Sequence, residues 1–256
     1  MKVSIIGSGN VGTVLGRKIK AAGHQLLQVY SRDPDHAKIL ATELQCSSVN
    51  RWREITSEAD IYLVAVVDAA LPEAAKMIGT KKGLVLHTAG SVSIEVLKTV
   101  SLNYGVLYPL QSLKKEKTNY ADIPLLVDGN TADDCCMVED FARSFSNLIQ
   151  KADDAYRLKL HVAAVFVNNF TNHFFTLAAD YCSQEQVNFS LLQPLIEETA
   201  NRLRDHDPGE VQTGPAARND QLTINKHLEL LHQYPALERI YEFMTERIQR
   251  YRSESI

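Results

Sequence analysis

Gly7-Ser8-Gly9-Asn10-Val11-Gly12 follows the apolar run Val3 to Ile6 and precedes an amphipathic stretch that ends at Gly23. A strand, a glycine turn and a helix in that order admit few folds. The first glycine makes the tight turn, the second lets backbone approach a ligand, and the third lets helix and strand pack closely. A diphosphate then sits against free N–H groups at the positive end of the helix. Gly7, Ser8, Gly9, Asn10, Val11 and Gly12 are therefore the expected cradle of a dinucleotide.

The remainder of the first 150 residues suits that expectation. Short β-rich runs alternate with helical patterns: Val3–Ile6, Gln25–Tyr30, Ile61–Val67, Leu84–His87, Val106–Tyr108, Leu125–Val127 and Leu148–Gln150 as strands, with helices over 11–22, 33–44, 69–79, 94–99 and 132–146. Several strands are almost wholly apolar, as parallel strands covered on both faces are. Alternation of this kind predicts right-handed crossovers and a doubly wound α/β sheet. After Lys151 the pattern becomes entirely helical. One long segment, from Asp153-Asp154 through Leu160, Val165, Phe170 and Phe174 to about Tyr181, is apolar nearly all round. It is expected to be buried, in its domain or in a dimer interface. Helices over 190–205, 220–233 and 236–252 follow. The expected plan is a Rossmann domain over residues 1–152 and an all-helical domain over 153–256.

Composition excludes several classes. A formal charge of -4 on 256 residues argues against nucleic acid or an anionic membrane as main partner. No apolar stretch approaches the roughly 20 residues needed to cross a bilayer. A first strand beginning at Lys2 leaves no room for a cleavable leader, so a cytoplasmic location is expected. Cys46, Cys135, Cys136 and Cys182 lack ligand spacing, and the eight histidines do not cluster, so no metal is implied.

The second strand ends at Tyr30 and is followed by Ser31-Arg32 rather than by an acid. A carboxylate there would hold a ribose 2′-hydroxyl and repel a 2′-phosphate. Ser31 can donate to that phosphate and Arg32 can grip it through charge-assisted bonds, which selects NADP. Asp33 before Pro34 reads as the cap of the next helix.

Ligands of open α/β sheets lie beyond the carboxyl ends of the strands. Val66-Val67-Asp68 and Thr88-Ala89-Gly90 occupy two such ends and are further expected cofactor contacts, with small Ala89 and Gly90 admitting a nicotinamide ring. Ser91, Tyr108 and Gln111 are candidates for the substrate cavity, although Tyr108 and Gln111 suit ordinary loop packing as well. His87 is either a proton donor or a structural histidine at the end of a buried strand. In the long helix, His161, Val165 and Asn168 share a face by i, i+4 and i+7 spacing. His161 with Asn168 either handles a carbonyl oxygen during hydride transfer or bonds to neighbouring helices. Arg218 and Asp220 either reach the crevice between the domains or cap the helix that follows.

The fingerprint with Ser31-Arg32, Val66-Val67-Asp68 and His87-Thr88-Ala89-Gly90-Ser91 resembles NADP oxidoreductases of the pyrroline-carboxylate reductase and deazaflavin-dependent NADP reductase type. His161-Val162-Ala163-Ala164 with Asn168-Asn169-Phe170, and Gly214-Pro215-Ala216-Ala217-Arg218-Asn219-Asp220 with His227-Leu228, resemble the helical domain of unknown function paired with such domains. The resemblance spans nearly the whole chain. It implies a helical domain related to the C-terminal part of 6-phosphogluconate dehydrogenase, a homodimer, and reduction of a small carbonyl or imine in the crevice between domains, or else a sensor that binds NADP without catalysis. Related β-hydroxyacid dehydrogenases place a lysine three residues before an asparagine pair. Here that position is Val165, and Lys159 lies almost two turns earlier. Imine reduction does not require the lysine.

Overall fold

Strand β1 (Lys2–Ile6) lies inside an eight-stranded sheet, and its Val3, Ile5 and Ile6 have no solvent-exposed surface. The computed structural model describes residues 1–254. The remaining strands are β2 (Gln25–Tyr30), β3 (Ser47–Val49), β4 (Ile61–Val64), β5 (Leu84–His87), β6 (Tyr104–Pro109), β7 (Leu125–Gly129) and β8 (Ile149–Lys151), in the spatial order β3-β2-β1-β4-β5-β6-β7-β8. The first six follow the dinucleotide-binding order, whose reversal falls between β1 and β4 and opens a crevice at the strands' carboxyl ends.

Helices α1 (Asn10–Ala21), α2 (Pro34–Leu44), α3 (Leu71–Ile78) and α4 (Ala132–Arg143) belong to the same region. Alternate residues of the strands feed two cores. Val3, Ile5 and Leu63 join Leu15 and Ile19 of α1, Leu40 and Leu44 of α2, and Phe141 of α4. Ile6, Tyr62, Val64 and Val85 join Leu71, Ala75 and Ile78 of α3. Burial on both faces is why these strands read as continuous apolar runs.

Three departures from the sequence expectation have local causes. β7 runs antiparallel to β6, because the connection from Leu110 to Pro124 forms no helix that could carry the chain back for a parallel crossover. β4 ends at Val64 rather than Val67. Ala65 still bonds Ile6, with its N–H 2.7 Å from that carbonyl, but Asp68–Ala70 then turns into a short 3₁₀ segment. β3 had no apolar signal, since it is an exposed three-residue edge strand, Ser47-Ser48-Val49.

The helical part contains α5 (Asp154–Ala164), a π-helical turn over Val165–Phe170, α6 (Thr171–Gln184), α7 (Gln193–Arg202), α8 (Gln221–Leu231) and α9 (Pro235–Glu254). The expected single long helix is thus two helices joined through a π turn. It is not buried within the chain either: Val162, Phe166, Val167 and Phe174 are exposed. Contacts divide the chain into Met1–Asn169 and Phe170–Ile256, so α5, which the sequence assigns to the second domain, groups with the first unit. Among the described residues no helix is long and apolar enough to cross a membrane.

Candidate active site

The glycine turn is shaped by three different demands. Gly7 has φ +118°, a conformation that disfavours any side chain, and a Cβ there would strike the Ala65 carbonyl oxygen. A Cβ at Gly12 would strike the Gly7 carbonyl oxygen, so this glycine sets the approach of α1 to the turn. At Gly9 a Cβ would meet nothing within 4 Å. Gly9 helps to line a cavity, which that open space borders. Gly9 is also the N-cap of α1, and no side chain satisfies the helix's first amides. Exposed, uncapped amides at the positive end of a twelve-residue helix fit a diphosphate. Val11 is half-buried behind them. Asn10 points elsewhere: its Oδ1 accepts the Lys115 N–H at 3.1 Å, tying the Leu110–Pro124 connection to the start of α1.

A cavity of about 240 Å³ continues from this turn, lined by Ser8, Ser31, Arg32, Trp52, Val66 and Val67 among others. Ser8 Oγ donates to Ser31 Oγ at 2.9 Å, so the two hydroxyls form one polar edge. Arg32 is exposed. Asp33 is committed to capping α2, accepting the N–H groups of Asp35 and His36 at 2.9 and 3.1 Å. Trp52, unassigned by the sequence, rests on Tyr30 with ring centroids 4.1 Å apart. It supplies a flat apolar wall. The signal available was its identity as the chain's one tryptophan, placed shortly after a candidate helix.

The second group gathers at the ends of β4, β5 and β6. Asp68 accepts from Ser91 Oγ at 2.7 Å, joining two of the loops. Thr88, Ala89 and Gly90, expected to touch the cofactor, are buried and do not line the cavity beside the glycine turn. His87 is fully buried. Its Nδ1 accepts the Ala89 N–H at 3.2 Å, and burial, then the Arg157 guanidinium, lower its pKa to about 4. A ring held neutral and sealed off shapes the turn; of the two roles open to His87, the structural one matches this geometry.

His161 has a partner the sequence did not pair with it. Tyr108 OH lies 2.9 Å from His161 Nδ1, and the rings meet edge to face at 6.0 Å. A Cβ at Gly90 would come within 2.8 Å of both His161 Nδ1 and Tyr108 Cζ. Three elements distant in sequence therefore converge on one point. Burial raises the Tyr108 pKa, so the phenol keeps its proton. Beside the pair, a cavity of about 480 Å³ is lined by Tyr108, Gln111, His161, Val165, Asn168 and Asn169, with further apolar walls. Asn168 and Asn169 sit in the π turn, a feature found frequently at functional sites.

α5 is held to this region by a buried clamp. Arg157, with 1% of its side chain exposed, donates from Nη2 to Asp154 Oδ1 at 2.6 Å and to the Val92 carbonyl at 2.8 Å. Asp154 Oδ1 also accepts the Ile94 N–H at 3.1 Å. The loop after β5 and the first turn of α5 are thereby locked together, one turn before His161. Arg218 and Asp220 lie in the other unit. Asp220 caps α8 through Thr223, accepting its N–H at 3.1 Å and its hydroxyl at 2.8 Å, and Arg218 is exposed.

Comparison with known proteins places both halves. Residues 2–89 match the family model described as NADP oxidoreductase coenzyme F420-dependent, and residues 123–248 match a domain of unknown function, DUF2520. A crystal structure from Bacteroides fragilis, provisionally designated an NADP oxidoreductase, is 34% identical with a TM-score of 0.90, the alignment covering 97% of this chain and 98% of that one. An imine reductase from Myxococcus stipitatus in complex with NADP+ is 15% identical over 99% of this chain and 95% of its own, with a TM-score of 0.67. A 1-pyrroline-5-carboxylate reductase from Streptococcus pyogenes is 14% identical over 98% of each chain, with a TM-score of 0.66. At such identities the last two speak for the fold alone. No curated protein matches the chain.

Proposed function

The chain belongs to the family that joins an NADP oxidoreductase domain to a DUF2520 domain, and from that premise we propose that it is an NADPH-dependent reductase of a small carbonyl or imine compound. The observation that carries this reading is the 480 Å³ cavity holding the Tyr108–His161 pair beside the buried backbone of Ala89-Gly90. Ser31 and Arg32 bind the 2′-phosphate, and the amides of α1 hold the diphosphate. The bound nicotinamide supplies a hydride. The carbon of the substrate accepts it, the C=O or C=N π bond breaks, and oxygen or nitrogen, held by a hydrogen bond from His161, takes a proton from solvent. Asn168 orients the same polar atom, while Ser91 and Gln111 remain candidate substrate contacts.

We also infer a homodimer formed through the helical domain. Among the described residues from Phe170 onward, only Cys182, Ala216, Ala217, Ile224 and Leu231 are buried hydrophobics, whereas Leu191, Leu195, Leu222 and Phe243 are at least 60% exposed. Apolar surface on that scale supports an interface. A second reading, an NADP-binding sensor without turnover, is favoured by Val165 at the position where related dehydrogenases carry lysine.

Titration of the full chain with NADPH and NADH, in wild type and Arg32→Ala, tests the cofactor assignment. Losing a charged hydrogen bond of about 1.5–3 kcal/mol weakens NADPH about tenfold to a hundredfold and leaves NADH unchanged. Equal wild-type affinities, or an Arg32→Ala variant that keeps its preference, reject the role of Arg32. NADPH consumption with a panel of ketones, aldehydes and imines separates the two readings: tight binding without turnover on any of them favours the sensor.

A further inference from the structure

The pairing of His161 with Tyr108 decides which chemistry the cavity can meet. Tyr108 OH is 2.9 Å from His161 Nδ1, and among the described residues that nitrogen is the one acceptor bonded to the phenol. A half-buried phenol that accepted from Nδ1–H instead would leave its own hydrogen without a protein partner among the described residues, and an unmade hydrogen bond on a half-buried group is a cost. Donation by Tyr108 to Nδ1 therefore places the ring hydrogen on Nε2. Gly90 keeps the two side chains together, since its missing Cβ is the space they occupy.

We propose that Tyr108 is a positioning residue that fixes the Nε2–H tautomer of His161, so that the cavity offers a hydrogen-bond donor and takes a carbonyl oxygen rather than an iminium nitrogen. This narrowing rests on the reductase reading above. An iminium nitrogen carries its own proton and has no lone pair for Nε2–H. A carbonyl oxygen has two, and a donor already in place stabilises the negative charge that develops there when the carbon receives hydride. The opposite tautomer would present a bare Nε2 and fit an iminium N–H instead. One hydrogen bond outside the reacting centre thus selects between the two substrate classes.

Long-range proton–nitrogen NMR correlation on the full chain with nitrogen-labelled histidine reads the tautomer directly, in mildly alkaline buffer and without any substrate. The His161 resonances are identified by their loss in His161→Gln. In wild type, Nε2 is expected at the protonated position and Nδ1 at the unprotonated position of a hydrogen-bonded acceptor. Tyr108→Phe is expected to move Nδ1 toward the free-acceptor shift and to admit the second tautomer. Gly90→Ala, which wedges a methyl group between the two rings, is expected to act in the same direction and serves where Tyr108→Phe folds poorly. A wild-type Nδ1–H tautomer overturns the proposal, as do His161 shifts unchanged in both variants; general loss of structure would move all the histidines, not this one alone. NADPH titration of the same sample keeps the two levels apart. Failure to bind overturns the reductase reading and the substrate class with it, while leaving the tautomer assignment to stand or fall on its own spectrum.

Discussion

His87 shows how one buried ring couples the site to pH. Its pKa of about 4 when folded, against 6.5 when unfolded, means that the folded chain refuses a proton the unfolded chain accepts. Above pH 6.5 the ring is neutral in both states and its contribution is complete. Between pH 6.5 and 4 only the unfolded state binds the proton, so stability falls as pH falls. The loss reaches about 3 kcal/mol below pH 4, at about 1.4 kcal/mol per unit of difference. His87→Asn keeps an acceptor for the Ala89 N–H but cannot titrate. Denaturant unfolding across this range is expected to show a shallower acid decline in that variant. Identical slopes in variant and wild type would remove His87 from the account. Tyr108, one strand over, is the reverse case: burial raises its pKa and preserves the proton it donates to His161.

At the level of elements, the site depends on fixing α5 against the loop after β5. Arg157 and Asp154 do this from the first turn of the helix, with Val92 and Ile94 as the loop's partners. Removing Asp154 leaves a guanidinium with 1% of its side chain exposed and without its ion-pair partner. Breaking a buried pair costs on the order of 3 kcal/mol, placed at the low end here because the Asp154 carboxylate is itself 38% exposed. Asp154→Ala is therefore expected to lower the thermal midpoint by several degrees and to broaden the His161 resonances, since the turn that carries them loses its anchor. A variant as stable as wild type would show that the clamp is ornamental. The π turn that follows is an element-scale feature too. Asn168 and Asn169 within it both line the cavity.

For the whole molecule, the deciding quantity is apolar surface. Leu191 is 76% exposed and Phe243 60%. Each large side chain taken from water contributes about 1.5–3 kcal/mol, which favours an interface that covers several of them. Sedimentation equilibrium is expected to give twice the chain mass at micromolar concentration. Phe243→Glu or Leu195→Glu is expected to shift the chain toward monomer and lower its melting temperature together. A wild-type monomer at that concentration rejects the homodimer.

The nucleotide half of the fold was legible in the residues because its determinants are local. The glycine spacing after Val3–Ile6, the apolar parallel strands and the cap at Asp33 each express a constraint carried within a few residues. β3 was not legible, since an exposed edge strand of three residues has neither length nor apolar alternation. The antiparallel β7 depended on a connection that simply fails to form a helix. The Tyr108–His161 pair and the Gly90 gap that holds it were beyond the sequence, because they join residues from three elements that only the sheet and α5 bring together. The sequence by itself determined that a dinucleotide site forms and that a helical half follows. The tertiary structure alone decided which side chains share a cavity, because hydrogen bonds and steric gaps between elements distant in sequence leave no periodic trace along the chain.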